Sequence, residues 1–116
     1  MQKNHRREGR GMKVATYCRV GRVENPEEAL AKQKARLEAF CKEQGYEVTH
    51  TITALDKGTR ILAFNEAKQL VELEVVDGIV AEKFSDLARN STMLKGLRDF
   101  AKEHNAVVVD VHNRKL

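Results

Sequence analysis

A chain of 116 residues with 41% apolar and 33% charged residues, one proline and no tryptophan has the composition of one folded domain, not of a disordered or fibrous segment. At this length folding hides roughly 65% of the unfolded chain's surface, enough for a core without staples. The formal charge of +4 is concentrated at one end: Lys3, Arg6, Arg7 and Arg10 against Glu8 supply +3 of it, so the rest is nearly neutral and has no strong electrostatic footprint for DNA. No apolar run approaches the roughly 20 residues of a membrane helix, and the polar N-terminus has no signal-peptide pattern. The four histidines (His5, His50, His104, His112) show no metal-ligand spacing, and Cys18 and Cys41 fall at apolar-face positions of a predicted strand and a predicted helix. The expectation is a cytoplasmic protein with two buried thiols, no metal, no cofactor and no membrane partner. Residues 1–12 read as a basic, disordered arm able to touch phosphates nonspecifically, and 13–116 as the folded domain. Arg6 to Gly11 is also what a purine-rich ribosome-binding sequence would encode in frame, which makes Met12 the expected natural start.

The elements follow in order. Residues 13–20, KVATYCRV, alternate as a strand, with Val14, Thr16, Cys18 and Val20 on one face and Ala15, Tyr17, Arg19 and Gly21 on the other. Asn25 is a good N-cap, Pro26 suits the first helical turn, and Glu27 and Glu28 favour the positive end of the helix dipole. This helix runs to about Gln44 on a stripe of Leu30, Leu37, Phe40 and Cys41, and Gly45 stops it. A second strand spans 46–54 and a polar connection 55–61. Phe64, Ala67, Leu70 and Val71 mark a short second helix. Asp77-Gly78 turns the chain into a third strand at 79–84. Met93, Leu94, Leu97, Phe100 and Ala101 mark a third helix starting near Asn90 or Ser91. A fourth, strongly apolar strand occupies 106–111.

This alternation predicts an α/β fold, a three-layer domain with a mostly parallel sheet of four or five strands in the order 2-1-3-4 and helices on both faces. Such sheets carry their sites at the carboxyl ends of strands near a switch in strand order. In this order the loops at 19–25 and 84–91 share one crevice.

Those two loops carry a family resemblance. Tyr17-Cys18-Arg19-Val20-Gly21 resembles the Tyr-x-Arg-Val-Ser opening of the serine recombinases, the resolvases and invertases. Gln33 with Leu37, followed by KEQGYEV (42–48), is similar to the family's Gln-x-x-x-Leu helix and its exit. DKGT (56–59) weakly resembles its Asp-x-x-Ser-Gly loop, and KFSDLARN (83–90) its Lys-Leu-Asp-Arg-Leu-x-Arg-Asn. The resemblance spans residues 13 to 112. It implies a resolvase-like catalytic domain associated with DNA strand exchange, with DNA as partner and a homodimer or a heteromer with an active recombinase as the assembly. It also implies that the long dimerisation helix and the DNA-binding module of the family lie outside this sequence.

The departures bear on chemistry. The family's serine forms a covalent bond to a DNA phosphate, and Gly21 stands at that position without a side chain. The family's Asp-Arg pair aligns with Ser85-Asp86, which puts an acid where an arginine would clasp phosphate. Arg19 and Arg89 match, Gln33 is kept, and Arg60 stands only near the place of a third arginine. The resemblance makes Gly21, Arg19, Arg89, Ser85 and Asp86 the catalytic positions, and Arg19, Gln33, Arg60 and Arg89 the phosphate- and DNA-binding ones. Loss of a serine nucleophile costs on the order of 10⁴–10⁶ in rate. A charge reversal about 4 Å from phosphate turns about 4 kcal/mol of attraction into repulsion at an effective dielectric of about 20. Asp86 can instead pair with Arg19 or Arg89. The expectation is a catalytically silent recombinase domain, a mobile-element remnant or a modulator of a recombinase. Two alternatives stand beside it: an active enzyme whose nucleophile is displaced to Ser85 or Cys18, and a small α/β module that binds a partner or anion and shares only the fold.

Overall fold

The computed structural model describes residues 10–55 and 57–116. Four parallel strands, β1 (Lys13–Arg19), β2 (Glu47–Ala54), β3 (Gly78–Ala81) and β4 (Val107–Asp110), form one sheet in the order β2-β1-β3-β4. Three helices connect them: α1 (Pro26–Gln44), α2 (Lys57–Glu72) and α3 (Ser91–Glu103). No helix among the described residues is long and apolar enough to cross a membrane.

The alternation of β1 divides the core into two layers. Val14 and Cys18 face α1 and pack with Leu37, Phe40 and Cys41, together with Val80 and Val109 of the neighbouring strands. Ala15 and Tyr17 face the other way, into a layer with Ala63, Ala67 and Val71 of α2 and Leu97 and Ala101 of α3. Both faces of the sheet are therefore covered, as an all-parallel sheet requires. The termini of α1 are set locally. Asn25 Oδ1 accepts the Glu28 N–H, Pro26 opens the helix, and Gly45 closes it in the left-handed conformation at φ 78°. Gly78 is required by close approach: a Cβ there would stand 2.6 Å from the carbonyl oxygen of Val107 on β4.

Two element boundaries differ from the sequence expectation. The polar stretch 55–61 is not a connection, because α2 already begins at Lys57 and runs for 16 residues. Ile61 and Leu62, which follow its first turn, remain exposed. The third strand is also shorter than 79–84. Ladder pairing ends at Ala81 against Tyr17 and Asp110. The chain bends at Glu82 and Lys83 and then tightens into a 3₁₀ turn at Phe84–Asp86.

Most of the expected basic arm, residues 1–12, lies outside the described residues. Of its end, Gly11 donates its N–H to the Gly45 carbonyl at 2.7 Å, and Met12 is buried in the α1 layer.

Candidate functional site

The carboxyl ends of β1 and β3 adjoin, as the strand order demands, and α2 adds its first turn to the same place. Arg60 lies there within the electrostatic field of both Arg19 and Arg89. Arg60 is pushed below the usual arginine range, first by burial and then by the positive charges of Arg19 and Arg89. Arg60 is anchored by a hydrogen bond from Nη2 to the Ser85 carbonyl oxygen at 3.2 Å. The ion pairs among the described residues lie elsewhere, at Lys32–Glu28, Arg36–Glu82 and Arg114–Asp110. None of the three clustered arginines has a carboxylate counterion among those residues. Like charges gathered without a counterion are costly, and an anion relieves that cost.

Asp86 does not serve as the counterion. It is 2% exposed. Its carboxylate accepts the Lys83 backbone N–H, and Oδ2 has no hydrogen-bond partner. Burial raises its pKa above the usual carboxylate value, Glu82 adds to the effect, and Lys83 and Arg19 oppose it. The ion pair to Arg19 or Arg89 open to Asp86 in the sequence is absent. The 3₁₀ turn carries the side chain inward, and Leu87 beside it enters the α2–α3 layer. Tyr17 shares this underside of the cluster. Its hydroxyl is buried and unpartnered, and burial raises its pKa, while Arg60 and Arg19 lower it and Asp86 raises it further.

Gln33 is 7% exposed, and both ends of its amide are engaged by the protein. Oε1 accepts the Arg19 N–H at 2.7 Å, and Nε2 donates to Glu82 at 2.9 Å. Arg36, one turn along α1, holds the other oxygen of Glu82, and these bonds keep the Glu82 carboxyl below its usual range. Gln33 thus fixes the backbone that presents Arg19. Sequence reasoning did not single out Arg36 and Glu82, although both carried a signal. Arg36 follows Gln33 at the i, i+3 spacing of one helix face, and Glu82 continues the α1-facing alternation of Val80.

The remaining positions are plain. Gly21 is exposed, has no left-handed backbone, and a Cβ added there would meet nothing within 4 Å. Ser85 is exposed. Cys18 is fully buried on the α1 face, opposite Arg19, and burial pushes its thiol up to about 11, so it lacks both access and thiolate character. Beside the cluster lies a cleft of about 380 Å³ lined by Arg60, Ile61, Phe64, Leu87, Arg89, Asn90 and Met93. No three His, Cys, Asp or Glu side chains gather to hold a metal among the described residues.

Residues 14–115 match the family described as Resolvase, N terminal domain. The chain belongs to the resolvase family of serine recombinases. Solved structures share its fold. A resolvase family site-specific recombinase from Streptococcus pneumoniae superposes with a TM-score of 0.76 at 23% identity, covering 90% of this chain and 75% of that one. The C-terminal catalytic domain of ISC1926 TnpA, an IS607-like serine recombinase, gives 0.75 at 19%, covering 86% and 70%. The N-terminal catalytic domain of TP901-1 integrase gives 0.73 at 21%, covering 89% and 80%. No curated protein matches the sequence. Neither sterics nor backbone conformation requires a glycine at position 21. Arg60, which the sequence left only near the place of a third arginine, comes within the field of Arg19 and Arg89.

Proposed function

We propose that this resolvase domain keeps a phosphate-binding arginine cluster but does not cut DNA, and that it acts on recombination by occupying DNA or by joining an active recombinase. The observation that carries this reading is the meeting of Arg19, Arg60 and Arg89 without a carboxylate counterion, beside an exposed Gly21 that offers no nucleophile. Phosphoryl transfer needs an attacking group as well as charge stabilisation, and only the second is present here. The absence of a reachable thiolate at Cys18 supports the same reading.

The test is DNA binding as a function of salt, with denaturing gels for covalent protein–DNA adducts. The expected result is binding that weakens with salt, that weakens further on Arg60→Gln, and that leaves no adduct. An adduct that disappears on Ser85→Ala or Cys18→Ala would establish a displaced nucleophile instead. Absence of DNA binding at low salt would favour a module that shares only the fold.

A further inference from the structure

The cluster's own acid is its most unusual member. A carboxylate that sat among the arginines would neutralise them as a salt bridge. Asp86 instead lies beneath them, 2% exposed, with one oxygen unpartnered and within the field of Arg19. An anion arriving from solvent therefore does not have to displace Asp86 from an arginine, yet its charge opposes the anion through protein of low dielectric, where screening by salt is weak.

We infer that Asp86 is the residue that sets how strongly the arginine cluster takes an anion: the cluster binds a dianionic oxyanion tightly when this carboxyl carries a proton and weakly when it is ionised. The inference rests on the anion-binding reading given above.

The surroundings fit this role from every side. From β1, Tyr17, Cys18 and Arg19 interact with Asp86; from α2, Arg60; and from the segment after β3, Glu82 and Lys83. Of the two neighbouring acids, Glu82 is held ionised to lower pH by Arg36 and Gln33, while burial raises the value of Asp86. Tyr17 is raised above its ordinary value and Cys18 to about 11, so neither titrates in the acid range. Asp86 is thus the acid beneath the cluster whose burial favours its protonated form as the pH falls. By linkage, the factor by which its proton strengthens anion binding equals the factor by which the anion strengthens proton binding.

Sulfate is the suitable probe, because it stays a dianion across this range. Calorimetric titration of the full chain should give sulfate affinity about tenfold higher on the acid side of the Asp86 titration than at neutral pH, equivalent to about one pKa unit of coupling. Asp86→Asn should bind at the tight level at both values, and Arg60→Gln should weaken binding at both. In the wild-type chain, a carbon-13 titration of the Asp86 carboxyl should move upward by about one unit on adding saturating sulfate. This second measurement decides the matter even if Asp86→Asn does not fold. Sulfate binding that is independent of pH, or an unchanged pH dependence in Asp86→Asn, would overturn the inference and leave the anion site standing. No sulfate binding at either pH, in wild type and variant alike, would overturn both.

Discussion

Two acids are buried at the same end of the sheet, at the exits of neighbouring strands, and the protein treats them oppositely. Asp110, the last residue of β4, is fully buried. It accepts the backbone N–H groups of His112 at 2.9 Å and Arg114 at 3.0 Å and the Arg114 Nε–H at 2.8 Å. Burial alone would raise its pKa, but these bonds hold it below the ordinary range. Asp86, just after β3, is buried as deeply, yet one oxygen has no partner and its pKa is raised. Buried polar groups in folded proteins are satisfied with few exceptions, and an exception asks for an explanation beyond packing. Asp110 locks the chain's return along β4. Asp86 lies under the arginine cluster, the one place at this sheet end where an unbalanced charge has a use.

The contrast can be broken most severely at Asp110. Asp110→Ala leaves several donors without their acceptor and should cost about 3 kcal/mol, read as a lower urea midpoint at unchanged slope. A loss below about 1 kcal/mol would deny Asp110 its locking role. Gln33→Ala, on the satisfied α1 side of the cluster, frees the Arg19 N–H and one oxygen of Glu82 and should cost about 2 kcal/mol in the same assay. Asp86→Asn should have the opposite sign, a gain of about 1 kcal/mol at neutral pH, because it removes an incompletely satisfied buried charge.

The pH dependence sharpens the comparison. The raised pKa of Asp86 gives stability that is complete below the ordinary carboxylate value and lost as pH rises through the folded-state value. The lowered pKa of Asp110 gives stability that is present above the ordinary value and lost as pH falls through the folded-state value. The advantage of Asp86→Asn over wild type should therefore shrink as the solution is acidified. A constant advantage would mean that Asp86 does not titrate differently in the folded chain. The smallest effect is expected at Gly21→Ser, where open space and ordinary backbone predict a gain of about 0.5 kcal/mol from the less flexible unfolded chain. A clear loss would show that the loop after β1 needs its glycine.

The scaffold was legible in the sequence because its signals are local. Asn25-Pro26 and Gly45 bracket α1, the alternation of β1 assigns its two faces, and the succession of elements leads to the order 2-1-3-4. A motif marked Arg19 and Arg89, and the fold sets both within the field of Arg60. Arg60 was obscured because the sequence at the start of α2 is polar, so it lacks the apolar periodicity that reveals a buried helix. The burial of Asp86 was hidden for another reason. Whether an acid pairs outward or turns inward depends on a three-residue 3₁₀ turn after β3, which no periodicity encodes, and the strand was expected to reach Phe84, where that turn begins. The role of Gln33 as a brace for the Arg19 backbone needed the distance between α1 and the end of β1, which only the fold supplies.

The central claim is that Arg19, Arg60 and Arg89 act as one oxyanion site. It is tested most directly by following the arginine Nε–Hε resonances of the nitrogen-15-labelled chain during a sulfate titration below neutral pH. Arg36 and Arg114, already held by carboxylates, serve as internal references. The account predicts that the three cluster resonances shift together along one saturating curve while the two references stay in place. Resonances that all drift alike without saturation, or a cluster that does not respond, would contradict it.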